Sequence, residues 1–176
     1  LSAKRAGWQA LARPLAVLQL GLIVLAFVSL WHAFYVHDFS VVYVAHHSNT
    51  LLPKPYQLAA VWGGHEGSLL LWVLMLALWS AAVAVFSASL PLAMVARVLG
   101  VLGLVSIGFL SFILTTSNPF ERLLPPAQEG RDLNPLLQDP GLVIHPPMLY
   151  MGYVGLSVAF AFAIAALLSG RLDAAW

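Results

Sequence analysis

The sequence predicts an all-α polytopic integral membrane protein, with four transmembrane helices joined by two outer loops, the second of them proline-rich. Three observations carry that prediction. Hydrophobic residues make up 61% of the chain and charged residues 9%, far from the roughly 25% charged share of a soluble globular domain. Four apolar runs recur at about 14–36, 69–90, 93–114 and 148–168, each long enough to cross a hydrocarbon layer of about 30 Å. The connections at about 37–68 and 115–147 hold most of the polar residues, and seven of the eleven prolines fall in the second.

The same composition excludes several classes. A net charge of +1 from scattered basic residues forms no patch for nucleic acid. Without cysteine the chain holds no disulfide and is not itself a thiol redox carrier. It opens on Leu1 and stops at Trp176 just past an apolar run, so the expectation is a single membrane-embedded region, 1–176, that is a fragment of a longer protein.

Taken in order, residues 1–13 combine Lys4, Arg5 and Arg13 with Trp8 and read as an interfacial helix or a cytoplasmic collar. The first span follows from Pro14, with Gln19 its one strongly polar interior residue and Trp31, Phe34 and Tyr35 as an aromatic belt at the far end. In the first loop the β-branched and aromatic cluster Phe39–Val44 favours a short extended segment, and Pro53 and Pro55 interrupt any helix. Gly63-Gly64 permits a tight turn before the second span, which returns through Pro91 into the third.

The second loop cannot be one long helix. Asn134-Pro135 is an N-cap and N1 pair for a single turn, and Asp139-Pro140-Gly141 is a turn signal. Apolar Leu123, Leu124, Leu136 and Leu137 speak for a folded cap over a disordered linker. In the last span Gly152, Gly155, Ala159, Ala163 and Ala166 share a narrow stripe at about 100° per residue, a face expected to pack against another helix.

Basic residues set the orientation. With the N-terminus inside, Lys4, Arg5, Arg13, Arg97 and Arg171 are cytoplasmic, and Lys54, Arg122 and Arg131 are outside. All six histidines and six of the seven acids then lie at or beyond the outer ends. The chemistry belongs to that face. The spans lack an acid or histidine near the midplane, which argues against ion transport through them alone.

Two motifs stand out there. His145-Pro146-Pro147 places an imidazole just ahead of the fourth span, where prolines cost no helical hydrogen bond and a neutral ring suits iron or zinc. Position alone fits a capping residue as well. Trp62-Gly63-Gly64-His65-Glu66-Gly67-Ser68 puts aromatics, glycines and an acid at the mouth of the second span. It fits either the wall of a flat macrocycle site or an ordinary turn with interface tryptophans and an acid at a helix start. His46-His47 and His37 read as solvated loop residues, and Arg131-Asp132 as a local ion pair.

The stretches TTSNPFERLLPPAQEGRDLNPLLQDPGLVIHPPMLYMGYVGLSVAFAFAIAALLSGRLD and VWGGHEGSLLLWVL closely resemble the CcmF family, the membrane subunit of the bacterial cytochrome c maturation (system I) haem lyase. The resemblance spans nearly the whole chain. It implies attachment of haem b, as substrate, to apocytochrome c on the periplasmic side of the inner membrane. It implies an axial iron ligand at His145, the histidine of the family's HPP motif, with Trp62 and Glu66 as further candidates for lining the haem. Implied partners are the lipid bilayer, the haem chaperone CcmE, thiol-handling subunits of the CcmH or CcmI type, and apocytochrome c. Members are longer and carry a tryptophan-rich outer segment and a second outer histidine absent here, so this stretch alone is not expected to act as a haem lyase. A haem or solute transport subunit and a structural assembly subunit are the other classes open.

Overall fold

The computed structural model describes residues 7–170; Lys4, Arg5 and Arg171, which enter the orientation argument, lie outside the described residues. Among the described residues, after a helical stretch at 7–10, the elements follow in order: α1 (Ala12–Tyr35), α2 (Val42–His47), α3 (Lys54–Ala59), a 3-10 turn (Ala60–Trp62), α4 (His65–Phe86), α5 (Leu92–Thr116), a second 3-10 turn (Pro135–Gln138) and α6 (Pro140–Ser169). Among the described residues α1, α4, α5 and α6 are long and apolar enough to cross a membrane, so the chain is a polytopic membrane protein.

Why these residues bundle is clearest at α4. Its buried set, including Leu70, Leu71, Val73, Met75, Leu76, Ala77 and Ala81, runs right round the helix, the mark of an element enclosed by its neighbours. α1 contributes Ala16, Ile23, Leu30 and Phe34, a seam at nearly heptad spacing that keeps one side of a helix turned to its partner. Ile23 packs with Val73, Ala77 and Ile113, while Leu30 and Phe34 pack with Tyr43, Val61 and Leu133 of the connections. The buried hydroxyls of Ser80 and Ser106 within the spans are satisfied locally. Ser80 donates to the Leu76 carbonyl at 2.8 Å and Ser106 to that of Leu102 at 2.9 Å, so neither is left unpaired in an apolar layer.

At one end the short α4–α5 connection is held by Arg13, whose guanidinium donates to the Ser87 carbonyl at 2.8 Å. At the other end the two long connections fold together as one cap. Val42 donates its amide to the Glu121 carbonyl (2.9 Å), Leu123 to that of Ser40 (2.8 Å) and Arg131 to that of Ala45 (2.8 Å). Arg122 pairs with Asp38 at 3.0 Å. The Ser40 hydroxyl, and then Arg122, hold the Asp38 carboxyl below its ordinary value. Glu129 accepts from the Thr50 hydroxyl at 2.7 Å and the Thr50 amide at 3.0 Å, contacts that favour its charged form and likewise lower its pKa.

Three local expectations change. The cluster at Phe39–Val44 does not extend as a strand; Val41 forms an isolated bridge with Arg122 and the chain then turns into α2. Burial of Tyr43, Val44 and Ala45 in that helix overrides strand propensity. Asp139-Pro140-Gly141 is a helix start and not a free turn, because the Asp139 carboxylate accepts from the amides of Gly141 and Leu142. The small-residue stripe of α6 is packed only in part. Gly155 lies under the Trp79 indole, 3.2 Å from an added Cβ, and Ala166 is buried, whereas Ala159 is exposed and nothing stands within 4 Å of a Cβ built on Gly152. Tryptophans of α4 set the rotation: the Trp79 indole donates to the Met151 carbonyl at 3.1 Å, and that of Trp72 to the Tyr153 hydroxyl at 3.0 Å.

Candidate functional site

Asp139 determines where the site begins. Its carboxylate holds the Gly141 and Leu142 amides at 2.8 and 3.2 Å, and Pro140 occupies the first turn, where a missing N–H costs nothing. The helix therefore starts ahead of His145 and runs on through Pro146 and Pro147, which lie inside α6. His145 is thus within the second turn and not just before the first. Its side chain is exposed, and it has no hydrogen-bond partner among the described residues.

Helical spacing puts His145 above Met148, Leu149 and Gly152, three, four and seven residues on. All three are exposed, and the space beside Gly152 is open. An imidazole with both nitrogens unengaged therefore stands over a shallow apolar face. One histidine of this kind can supply one axial bond to a metal held in a flat organic ligand, whose ring would lie on that face. It does not make a self-contained metal centre, and no group of three His, Cys, Asp or Glu residues able to hold an ion occurs among the described residues.

Trp62 and Glu66 are placed differently. The Trp62 indole donates to the Val143 carbonyl at 2.9 Å. Val143 lies two residues before His145, roughly 200° round the helix. Trp62 thus grips the backbone of α6 on the side away from the imidazole. Glu66 sits in the first turn of α4, half-buried, where a carboxylate suits the positive end of the helix; it forms no hydrogen bond or ion pair among the described residues. The geometry brings Trp62 to the turn that carries His145 but does not gather His145, Trp62 and Glu66 round one cavity.

Two glycines of this stretch, Gly64 and Gly67, answer to Tyr43. Its hydroxyl donates to the Val61 carbonyl at 3.0 Å and accepts from the Gly64 amide at 2.9 Å. A Cβ on Gly67 would stand 1.7 Å from the Val61 oxygen and 2.7 Å from the Tyr43 hydroxyl. Burial pushes the Tyr43 phenol above its ordinary pKa, so it stays neutral and can both donate and accept. His47 stacks on Tyr43 with ring centroids 4.4 Å apart and its Nδ1 is 2.9 Å from the Tyr43 carbonyl. It is a half-buried structural residue and not a solvated one. His37 likewise engages the Gln57 amide nitrogen at 3.2 Å, whereas His46 is exposed as expected. His65 meets the Ser117 hydroxyl at 2.8 Å. Tyr43 itself carried no sequence signal, because nothing in the linear order ties it to glycines some twenty residues on.

Residues 62–174 match the family described as cytochrome C assembly protein. The chain is 63% identical over 171 residues to the cytochrome c-type biogenesis protein CcmF of Pseudomonas fluorescens, covering 96% of this chain and 26% of that protein. It is 67% identical over 152 residues to CcmF of Escherichia coli strain K12, covering 86% of this chain and 24% of that one. A solved structure, cytochrome c heme lyase CcmF, superposes with a TM-score of 0.70 at 30% identity, over 95% of this chain and 30% of that chain. The chain spans about a quarter of the length of the curated relatives it matches.

Proposed function

The chain belongs to the cytochrome c assembly protein family, and from that premise we propose that it serves cytochrome c biogenesis as part of a membrane haem lyase, with His145 as an axial ligand of the haem iron. The observation that carries this is the His145 imidazole itself, exposed and without a hydrogen-bond partner among the described residues, over the open face of Met148, Leu149 and Gly152. In the reaction proposed, each cysteine thiol of an apocytochrome adds across a haem vinyl group. The sulfur bonds to the inner vinyl carbon and the proton goes to the outer one, so no external oxidant or reductant is consumed. This chain's contribution is positioning: His145 fixes the iron while apolar residues of α6 keep water from the ring, leaving the vinyl edge for the thiols.

The cap then faces the periplasm and the Arg13 and Arg97 end the cytoplasm of a bacterial inner membrane, as the sidedness of basic residues favours. The substrate is haem b. Its supplier is a haem chaperone of the CcmE kind, and the thiols arrive reduced through CcmH- or CcmI-type partners. Glu66, an acid without a protein partner at the same end, is proposed to face the haem's polar edge through a donor the partners provide. The test is cytochrome c assembly in cells whose own copy of the gene encodes His145→Ala. Covalent haem in cytochrome c should fall to background while the protein's level in membranes stays normal. Normal assembly at matched levels refutes the proposal.

A further inference from the structure

We propose that Trp62 is a positioning residue for His145, acting through the backbone of α6 and not by offering its ring to the haem. The inference rests on the ligand reading of His145 given above.

Two consecutive prolines create the need. In an unbroken helix the amides at positions 146 and 147 would donate to the carbonyls of Leu142 and Val143, and proline supplies neither. The turn that carries His145 is therefore missing two adjacent rungs of its own ladder. Upstream it is held by the Asp139 cap and by the Val143 amide, which donates to the Asp139 carbonyl at 3.0 Å. Downstream the helix is secured by Trp79 at Met151. Between these two anchors the hydrogen bond that links this turn to another element, among the described residues, is that of the Trp62 indole N–H on the Val143 carbonyl, at 2.9 Å.

Trp62 is well fixed to serve as that anchor. Its own carbonyl accepts from the Ser68 hydroxyl at 2.9 Å. The next residue, Gly63, is pressed under Leu133, whose Cδ1 would lie 2.9 Å from an added Cβ. The preceding residue, Val61, is held by Tyr43. The ring packs against both of the larger buried clusters, one among the spans and one beneath the cap. A donor set in so firm a frame restores the lost rung from outside the helix. It fixes the rotation of the turn and hence the direction of the imidazole. This proposal gives Trp62 a more specific role than lining the haem.

Two variants separate the donor from the bulk. Trp62→Phe keeps an apolar ring and loses the N–H; Trp62→Gln loses the ring and keeps an N–H of similar reach. The full chain in lipid nanodiscs is titrated with ferric protoporphyrin IX, following the Soret signature of histidine ligation, with His145→Ala alongside. Amide exchange at His145 and Met148 is measured on the haem-free chains. Positioning by hydrogen bond predicts that Trp62→Phe binds about tenfold more weakly with faster exchange, the scale of one lost hydrogen bond, while Trp62→Gln stays near wild type. Trp62→Gln falling as far as Trp62→Phe, or further, means bulk alone matters and overturns the inference. So does Trp62→Phe matching wild type in both measurements. If His145→Ala keeps the wild-type spectrum, or the wild-type chain shows no histidine-ligated haem, the ligand reading fails and with it the purpose assigned to Trp62. The exchange data still judge the backbone anchor by itself.

Discussion

The Tyr43 hydroxyl donates to the Val61 carbonyl at 3.0 Å, which ties the first connection to the turn that opens α4. Because the same hydroxyl accepts from the Gly64 amide at 2.9 Å, one side chain satisfies two backbone groups where the chain changes direction. Tyr43→Phe leaves both unpaired in a buried setting. The expected loss is about 1–3 kcal/mol of stability, read as a lower midpoint of thermal unfolding in detergent. An unchanged midpoint would mean that water takes over both bonds.

Two glycines should respond oppositely to alanine. At Gly67 the new methyl would meet the Val61 carbonyl oxygen at 1.7 Å and the buried Tyr43 ring and hydroxyl at 2.7–2.8 Å, and the Val61 backbone is not a flexible neighbour that can give way. Gly67→Ala should therefore fail to accumulate in membranes. At Gly152 nothing lies within 4 Å, and alanine is the better helix former, so Gly152→Ala should accumulate normally. Equal accumulation of the two variants would contradict this account of close approach.

The cap should loosen in acid. Asp38 and Glu129 both have lowered pKa values in the folded chain, through the Ser40 hydroxyl first in one case and the Thr50 hydroxyl first in the other. A lowered folded value means that the stabilisation is complete above the unfolded pKa of about 4 and is lost as pH falls through the folded one. Pepsin cleavage around Leu124, which is 84% exposed, should therefore accelerate below about pH 4 relative to the free peptide of the same sequence. A constant ratio from pH 5 downwards, by about two units, would show that these carboxylates do not hold the cap.

Sidedness has its own test. A reporter fused after Ala127, within the cap, should report a periplasmic location, and one fused after Ser89, in the α4–α5 connection beside Arg13, a cytoplasmic one. The reverse pattern would put the His145 end on the wrong side for the proposed chemistry.

The spans were legible in the sequence because bilayer thickness imposes a length and a composition on any segment that crosses it. Their rotation was not. Gly152, Gly155, Ala159, Ala163 and Ala166 look like one packing stripe in isolation, but the indoles of Trp72 and Trp79 turn α6 so that Gly155 and Ala166 are packed and Gly152 and Ala159 are open, and hydropathy does not encode that choice. Asn134 was readable as a cap because its bond to Leu136 is local. The start of α6 was misplaced because Pro146-Pro147 looks like a beginning, whereas the Asp139 cap and the bond from Trp62 let the helix run through both prolines. His145 was singled out by its motif, its exposure by the structure. The part Trp62 takes depends on a contact between residues 81 positions apart, which no linear pattern announces.

The ligand assignment of His145 is tested most directly by replacing the ring with a cavity and supplying the ring from solution. Haem-loaded protein carrying His145→Gly is isolated from membranes, and its optical and electron paramagnetic resonance spectra are recorded with and without imidazole. Pyrrole, whose nitrogen lone pair is committed to its ring, serves as the control. The account predicts that the histidine-ligated signature vanishes in the variant and returns with imidazole but not with pyrrole. A wild-type signature in His145→Gly without any addition would contradict it.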